Sequence, residues 1–220
     1  MRKIDTILFD LDGTLIDTNE IIIKSYQHAY KTHLPNLALS RQTIIDQIGP
    51  TLNDIFSLYT DSPFTVKALI DTYRAYYVEN EGKYHKLYPK VYETLKTLKS
   101  KGYQLGIVTS KFKVAAWPSF THYKLNEFID VFIALDDVKN PKPDKEPVLK
   151  ALSKFKSIRG AIMIGDNQGD ILSGKNAGIL SAGVAWSIKG KAHLNLVNPD
   201  YMFDTMDDII KLLNTINEED

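Results

Sequence analysis

Ile7-Leu8-Phe9-Asp10-Leu11-Asp12-Gly13-Thr14 joins a short apolar run to two carboxylates and a glycine turn. The apolar residues read as a buried strand, and the Asp-Gly pair ends it. A carboxylate at such a strand end faces solvent while the strand behind it is held stiffly in the core. Asp10 is thereby placed to attack an electrophile, and Asp12 to carry protons to and from a leaving group. Asp-Gly is also ordinary turn chemistry, so the pair gains meaning only from what the rest of the chain sets beside it.

Similar apolar runs recur at Tyr103 to Val108, Val131 to Ala134, Ala161 to Ile164 and Leu180 to Trp186, each closed by polar or glycine-containing residues. They read as buried parallel strands. Between them, Val91 to Leu98 and Val148 to Leu152 carry apolar residues three and four apart, the period of a helix packed on one face. Strand and helix therefore alternate, which predicts an α/β fold: a Rossmann-like, doubly wound parallel sheet whose ligands collect beyond the carboxyl ends of the strands. Asp10, Thr109 and Asp166 all fall at such ends.

Residues 17–84 break the rhythm. The pattern there predicts helices at Asn19 to Lys31, Ser40 to Ile48, Thr51 to Tyr59 and Pro63 to Glu79, with Ser40 and Asp61 or Ser62 as caps and Pro35, Gly49-Pro50 and Gly82 as breaks. The expected organisation is an α/β core of residues 1–16 and 85–220, with an α-helical cap of residues 17–84 inserted after the first strand. A helical bundle at that point can act as a lid, or simply complete the core.

Composition narrows the function without naming it. The chain has 220 residues, 44% of them hydrophobic and 25% charged, as in an ordinary soluble globular protein. Lys plus Arg and Asp plus Glu both number 27, so no bulk field draws it to nucleic acid or to an anionic membrane. With 0 cysteines there is no disulfide, thiolate zinc site or cysteine nucleophile. Met1-Arg2-Lys3-Ile4-Asp5 offers no signal-peptide core, and no apolar run is long enough to span a bilayer. The expectation is a cytoplasmic protein acting on a small molecule, with neither nucleic acid nor membrane as partner and its oligomeric state open. The acidic end Asn217-Glu218-Glu219-Asp220 reads as a frayed, solvated terminus.

Further motifs join the opening pair. Leu105-Gly106-Ile107-Val108-Thr109-Ser110 delivers hydroxyls and backbone N–H groups at a strand end, suited to phosphate oxygens or, more blandly, to starting the next helix. Lys142, between Pro141 and Pro143, sits in a loop with little freedom to wander. Ile164-Gly165-Asp166-Asn167-Gln168-Gly169-Asp170 repeats the opening theme, a carboxylate at a strand tip and a second one turn later. Asp10, Asp12 and Asp166 together would form an all-oxygen site, which suits hard Mg²⁺ rather than zinc or copper. The five histidines show no metal-binding spacing and are read as surface or core residues. Such a set makes sense for phosphoryl transfer, where a dianionic group must be neutralised and held in line.

These motifs, in this order, resemble those of the haloacid dehalogenase-like hydrolase superfamily, in its phosphatase branch. The resemblance spans the chain and implies that Asp10 is the nucleophile and Asp12 the acid-base. It implies that Thr109, with Ser110 beside it, and Lys142 bind phosphate. By the same resemblance Asp10, the Asp12 backbone carbonyl and Asp166 hold Mg²⁺, while Asp170 is an auxiliary acid. Within the superfamily, Ile48-Gly49-Pro50-Thr51-Leu52, Leu135 to Asn140 and Ala182 to Gly190 look most like bacterial inorganic pyrophosphatases close to phosphoglycolate phosphatase. Lys145 stands where the family often has proline, and Gln168-Gly169 replaces an aromatic-histidine pair. The resemblance thus implies a Mg²⁺-dependent phosphatase working through an aspartyl-phosphate, with pyrophosphate the first substrate and phosphoglycolate the second. A sugar-phosphate mutase shares the same core residues. A phosphoacceptor signalling module also places acids, a threonine and a lysine at strand ends.

Overall fold

A computed structural model describes residues 3–218. Glu219 and Asp220 of the expected frayed terminus, and Met1 and Arg2 of the N-terminal segment, lie outside the described residues. Asn217, by contrast, belongs to the last helix, and its side chain accepts from the Ile4 N–H at 3.0 Å. The chain divides into two compact units, Met1–Ile16 with Leu87–Asp220, and Asp17–Lys86.

The first unit is built on a six-stranded sheet: β1 (Thr6–Phe9), β4 (Gln104–Val108), β5 (Val131–Ile133), β6 (Ala161–Gly165), β7 (Leu180–Val184) and β8 (Tyr201–Phe203). Its spatial order is β5-β4-β1-β6-β7-β8, and every pairing is parallel. The chain works outward from β1 to β5, then returns to lay β6 on the other side of β1. That is the doubly wound order, and its switch point lies between β1 and β6.

Alternation along the strands explains why both faces are covered. Ile7 and Phe9, Leu105 and Ile107, and Ile162 and Ile164 share one apolar cluster. It also takes in residues of α5 (Val91–Ser100), α6 (Lys113–His122) and α10 (Met206–Glu218). Leu8, Val108 and Met163 point the other way, into a cluster with Val148 and Ala151 of α7 (Glu146–Leu152). Two-sided burial is why these strands read as unbroken apolar runs.

Some boundaries differ from the sequence reading. Tyr103 precedes β4 and Trp186 lies in the turn after β7, where its indole N–H donates to the Thr14 carbonyl at 3.1 Å. A further strand, β8, completes the sheet edge, and α8 (Gln168–Asn176) and α9 (Gly190–Asn195) flank β7 in sequence. Gly178, with φ +75°, follows the last turn of α8, as its position past the helix end predicts.

The second unit holds α1 (Asn19–His33), α2 (Arg41–Asp46), α3 (Leu52–Phe56) and α4 (Pro63–Tyr84). Ser40, Thr51 and Ser62 each accept a backbone N–H from the third residue on, stopping the helix N-termini as side-chain caps do. Helix α4 runs through Gly82 rather than breaking there, for the cost of one glycine in a helix, about 1 kcal/mol, is outweighed by a long buried face. The unit's core is aromatic: Phe56 meets Tyr26 and Tyr30 edge-on with ring centroids 5.5 and 5.4 Å away, and Tyr26 meets Tyr73 at 4.9 Å. Strands β2 (Ile16–Asp17) and β3 (Lys86–Leu87) pair where the chain passes from one unit to the other and back.

Candidate active site

Asp10, Thr109 and Asp166 each follow directly on a strand, β1, β4 and β6 respectively. Because Phe9 pairs with Ile107 on one side and Ile164 on the other, the three strand tips lie side by side. The Asp10 N–H donates to the Ile164 carbonyl at 2.9 Å, carrying the ladder one residue further and fixing the Asp10 backbone.

Beyond Asp10 the chain turns tightly. Gly13 has φ +82° and donates its N–H to the Ile16 carbonyl at 2.8 Å, while Leu15 and Ile16 both donate to the Leu11 carbonyl at 3.0 Å. A side chain at residue 13 would put its Cβ 2.3 Å from Oδ2 of Asp166, so glycine is required by backbone angle and by space alike. Gly165 plays a similar part, since a Cβ there would lie 2.3 Å from Oδ2 of Asp170.

Lys142 reaches this group from the loop before α7. The loop is pinned by Glu146, whose carboxylate accepts the Lys139 and Asn140 N–H groups at 2.8 and 2.9 Å, and by Asn176, which donates to the Pro143 carbonyl at 2.9 Å. From there the Lys142 ammonium donates to Asp10 Oδ1 at 2.7 Å, Asp170 Oδ1 at 2.6 Å and the Val108 carbonyl at 2.9 Å. Asp170 is itself tied back: its Oδ2 accepts the Asn167 N–H at 2.9 Å, so one carboxylate both caps α8 and holds the lysine. Asp166 is set by Thr14, whose hydroxyl donates to Oδ1 at 3.4 Å, and by Ser187, whose hydroxyl donates to the Asp166 carbonyl at 2.7 Å.

Asp10, Asp166 and Asp170 offer carboxylate oxygens within 4.8 Å of one another, and all are buried. Burial pushes the Asp10 carboxyl up to about 7; Lys142 opposes this, and Asp170 and Asp12 add to it. Asp166 is raised well above the ordinary carboxylate range, by burial first and then by Asp10 and Asp170. Burial alone would lower the Lys142 ammonium, but its two carboxylate partners outweigh that and hold it above the ordinary lysine value. Three carboxylates thus face one ammonium, a charge deficit that a divalent cation would balance, and the donors are hard oxygens. The residues present fit a Mg²⁺-type ion.

The other expected site residues sit differently. The Asp12 carboxylate is not part of the three-acid group; it pairs with Lys111, Nζ to Oδ1 3.3 Å, with both side chains partly open to solvent. Thr109 is buried, its N–H donating to the Ile133 carbonyl at 2.9 Å and its hydroxyl oxygen accepting the Lys111 N–H at 3.2 Å. Ser110 lies half-buried in the bend after it. Sequence reasoning missed Lys111, Thr14 and Ser187 as members of this neighbourhood. Lys111 stands two residues past Thr109, so its place beside a strand tip was visible, but its partner was not. In the helical unit, Arg41 pairs with Glu20 at 2.6 Å and Lys67 with Asp71 at 2.5 Å.

Carboxylates and a lysine buried together at the switch point of a parallel sheet define an α/β enzyme with an oxygen-lined site. Residues 7–184 match the model of the haloacid dehalogenase-like hydrolase family, and the chain belongs to that family. It is 43% identical over 216 residues to proteins named pyrophosphatase PpaX from Bacillus cereus and Bacillus thuringiensis, an alignment covering 98% of this chain and 99% of theirs. Among solved structures, a haloacid dehalogenase-like family hydrolase from Streptococcus pneumoniae superimposes with a TM-score of 0.82 at 26% identity, covering 95% of this chain and 98% of that one. A crystal structure described as a predicted phosphoglycolate phosphatase from Haemophilus somnus has a TM-score of 0.82 at 27% identity, covering 96% and 99%.

Proposed function

We propose that this protein is a Mg²⁺-dependent phosphatase that hydrolyses pyrophosphate through an aspartyl-phosphate on Asp10. The observation that carries the chemistry is the buried group of Asp10, Asp166 and Asp170 around one lysine; full-length similarity to proteins named pyrophosphatase favours the substrate. Asp10, the Asp12 backbone carbonyl and Asp166 would hold Mg²⁺, which when bound would supply positive charge that favours ionised Asp10 and eases the approach of two anions.

Asp10 then attacks phosphorus through a carboxylate oxygen, and the bond from phosphorus to the leaving oxygen breaks as Asp12 gives that oxygen a proton. Asp12 next takes a proton from the water that attacks the aspartyl-phosphate, so that phosphate leaves, Asp10 returns as a carboxylate and Asp12 as the protonated acid. Lys142 neutralises charge on Asp10 and the transferring group, with Asp170 holding it in place. The Thr109 hydroxyl, and the Ser110 hydroxyl and N–H, are the donors offered to the remaining phosphate oxygens. The helical unit, inserted directly after the Asp10 turn, is read as a cap domain.

Phosphoglycolate is the second candidate, favoured by the similarity to the Haemophilus somnus structure. No helix among the described residues is long and apolar enough to cross a membrane, and a cysteine-free chain suits a reducing cytoplasm. The test is phosphate release from pyrophosphate, phosphoglycolate and sugar phosphates, with and without Mg²⁺, for the wild type and Asp10→Asn. Loss of turnover in the folded variant is expected. Full activity in Asp10→Asn ends the proposal; a single labelling of the protein without steady release points to a phosphoacceptor module, and transfer to a sugar to a mutase.

A further inference from the structure

The turn after β7 lies two strands from β1, roughly 10 Å across the sheet, yet two consecutive residues of that turn reach the acid-bearing tips. The Trp186 indole N–H donates to the Thr14 carbonyl at 3.1 Å, and the Ser187 hydroxyl donates to the Asp166 carbonyl at 2.7 Å. Each contact has one possible direction, because a carbonyl only accepts and an indole N–H only donates. The Ser187 oxygen also accepts the Lys189 N–H at 3.2 Å, which leaves its proton for Asp166. The turn is itself anchored, with the Ala185 N–H on the Phe203 carbonyl at 2.8 Å and the Ser187 N–H on the Val184 carbonyl at 3.1 Å. On its other side the indole meets the Tyr88 ring, centroids 5.8 Å apart, and the Tyr88 N–H donates to the Leu15 carbonyl at 3.1 Å.

What these contacts hold follows from how Asp166 is walled in. Its carboxylate lies against the Gly13 backbone, so close that a Cβ there would stand 2.3 Å from Oδ2. The Thr14 hydroxyl donates to Oδ1 at 3.4 Å, too long to set the carboxylate by itself. The carboxylate is therefore placed by two backbones, its own and that of Gly13-Thr14; Ser187 grips the first and Trp186 the second. Thr14, Asp166 and Ser187 are all buried, so bulk water does not stand in for either donor. We propose that Trp186 and Ser187 are positioning residues for the cation site, which hold the Asp166 carboxylate beside Asp10 before any ion binds. The inference rests on the Mg²⁺ reading above and adds two residues outside the acid group on which the affinity depends. Ionised carboxylates as close as those of Asp10, Asp166 and Asp170 repel one another, and a ligand held in place beforehand gives up less freedom when the ion arrives.

The experiment is calorimetric titration of Mg²⁺ into substrate-free wild type, Trp186→Phe, Ser187→Ala and Ser119→Ala, each with a metal-free thermal melt as the check on folding. Trp186→Phe keeps an aromatic ring beside Tyr88 and loses the N–H. Ser119→Ala is the control, since it removes another buried hydroxyl that donates to a carbonyl, that of Ala116 at 3.2 Å within α6. The Mg²⁺ dissociation constant is expected to rise by about 10-fold in Trp186→Phe and in Ser187→Ala, the effect of losing a partner that orients a metal ligand. Ser119→Ala should melt earlier and keep the wild-type affinity. Wild-type affinity in both site variants, or an equal rise in Ser119→Ala, overturns the inference and leaves Trp186 and Ser187 as packing residues. A rise in one site variant alone assigns the positioning to that residue and removes it from the other. A wild type that takes up no Mg²⁺ overturns the metal reading and this inference together, whereas uptake with unchanged variants overturns this inference only.

Discussion

Replacing Lys142 with methionine keeps the length of the side chain but removes the ammonium that stands 2.7 Å from Asp10 and 2.6 Å from Asp170. All three side chains are less than a tenth exposed, so water cannot take the ammonium's place. Removing one partner of a buried ion pair costs about 3–5 kcal/mol, because the other charges stay buried without compensation. At roughly 3 °C per kcal/mol for a unit of this size, the melting temperature in a chelating buffer at pH 8 should fall by about 10–15 °C. The pH dependence gives the sign. Lys142, raised above its ordinary value, stays charged in the wild type throughout the assay range, so its contribution is lost only far above pH 8. Asp10, raised to about 7, is mostly neutral at pH 5 and needs the ammonium less there. The gap between wild type and Lys142→Met should therefore be smaller at pH 5 than at pH 8. Equal melting temperatures at pH 8, or a wider gap at pH 5, would refute the claim that Lys142 neutralises a buried acid cluster.

The remaining predictions concern the same strand tips. Gly13→Ala forces a side chain into φ +82° and brings its Cβ within 2.3 Å of Asp166 Oδ2, so Asp166 must move; a shift of that size should lower kcat/KM on the order of 100-fold while circular dichroism shows an intact fold, and wild-type turnover would contradict it. Mg²⁺ binding by titration calorimetry should release protons, and the affinity should weaken as pH falls below about 7, the value to which Asp10 is raised. Without the ion, folding stability should decline as pH rises from the unfolded carboxylate value near 3.8 through about 7, because the folded state holds protons on Asp10 and Asp166 that the unfolded chain has released. Mg²⁺ should remove that slope, and a metal-free protein whose melting temperature climbs across this interval would oppose the assignment.

The alternation of strand and helix was legible in the sequence because a parallel strand covered on both faces must be apolar at every position, as Ile7-Leu8-Phe9 and Ile162-Met163-Ile164 are. Acids at strand ends were legible for the converse reason, since a carboxylate following such a run has only the strand tip to occupy. Strand β8 was not, because three residues, Tyr201, Met202 and Phe203, at a sheet edge carry no period of their own. Gly82 misled because propensity is local while the packing of α4 is not.

Tertiary structure alone decided who meets whom. Lys142 and Asp10 are 132 positions apart, and they meet because β6 returns to the far side of β1 and carries Asp166 and α8 with it. Both Asp12 and Asp170 read as companions of a strand-tip acid, yet one carboxylate turns to Lys111 and the other to Lys142. Residue types and their order along the chain determined which chemistry was within reach. Strand order and the backbone angle at Gly13 decided which charges are buried against one another, because Coulomb energy depends on separation and burial in space rather than on distance along the chain.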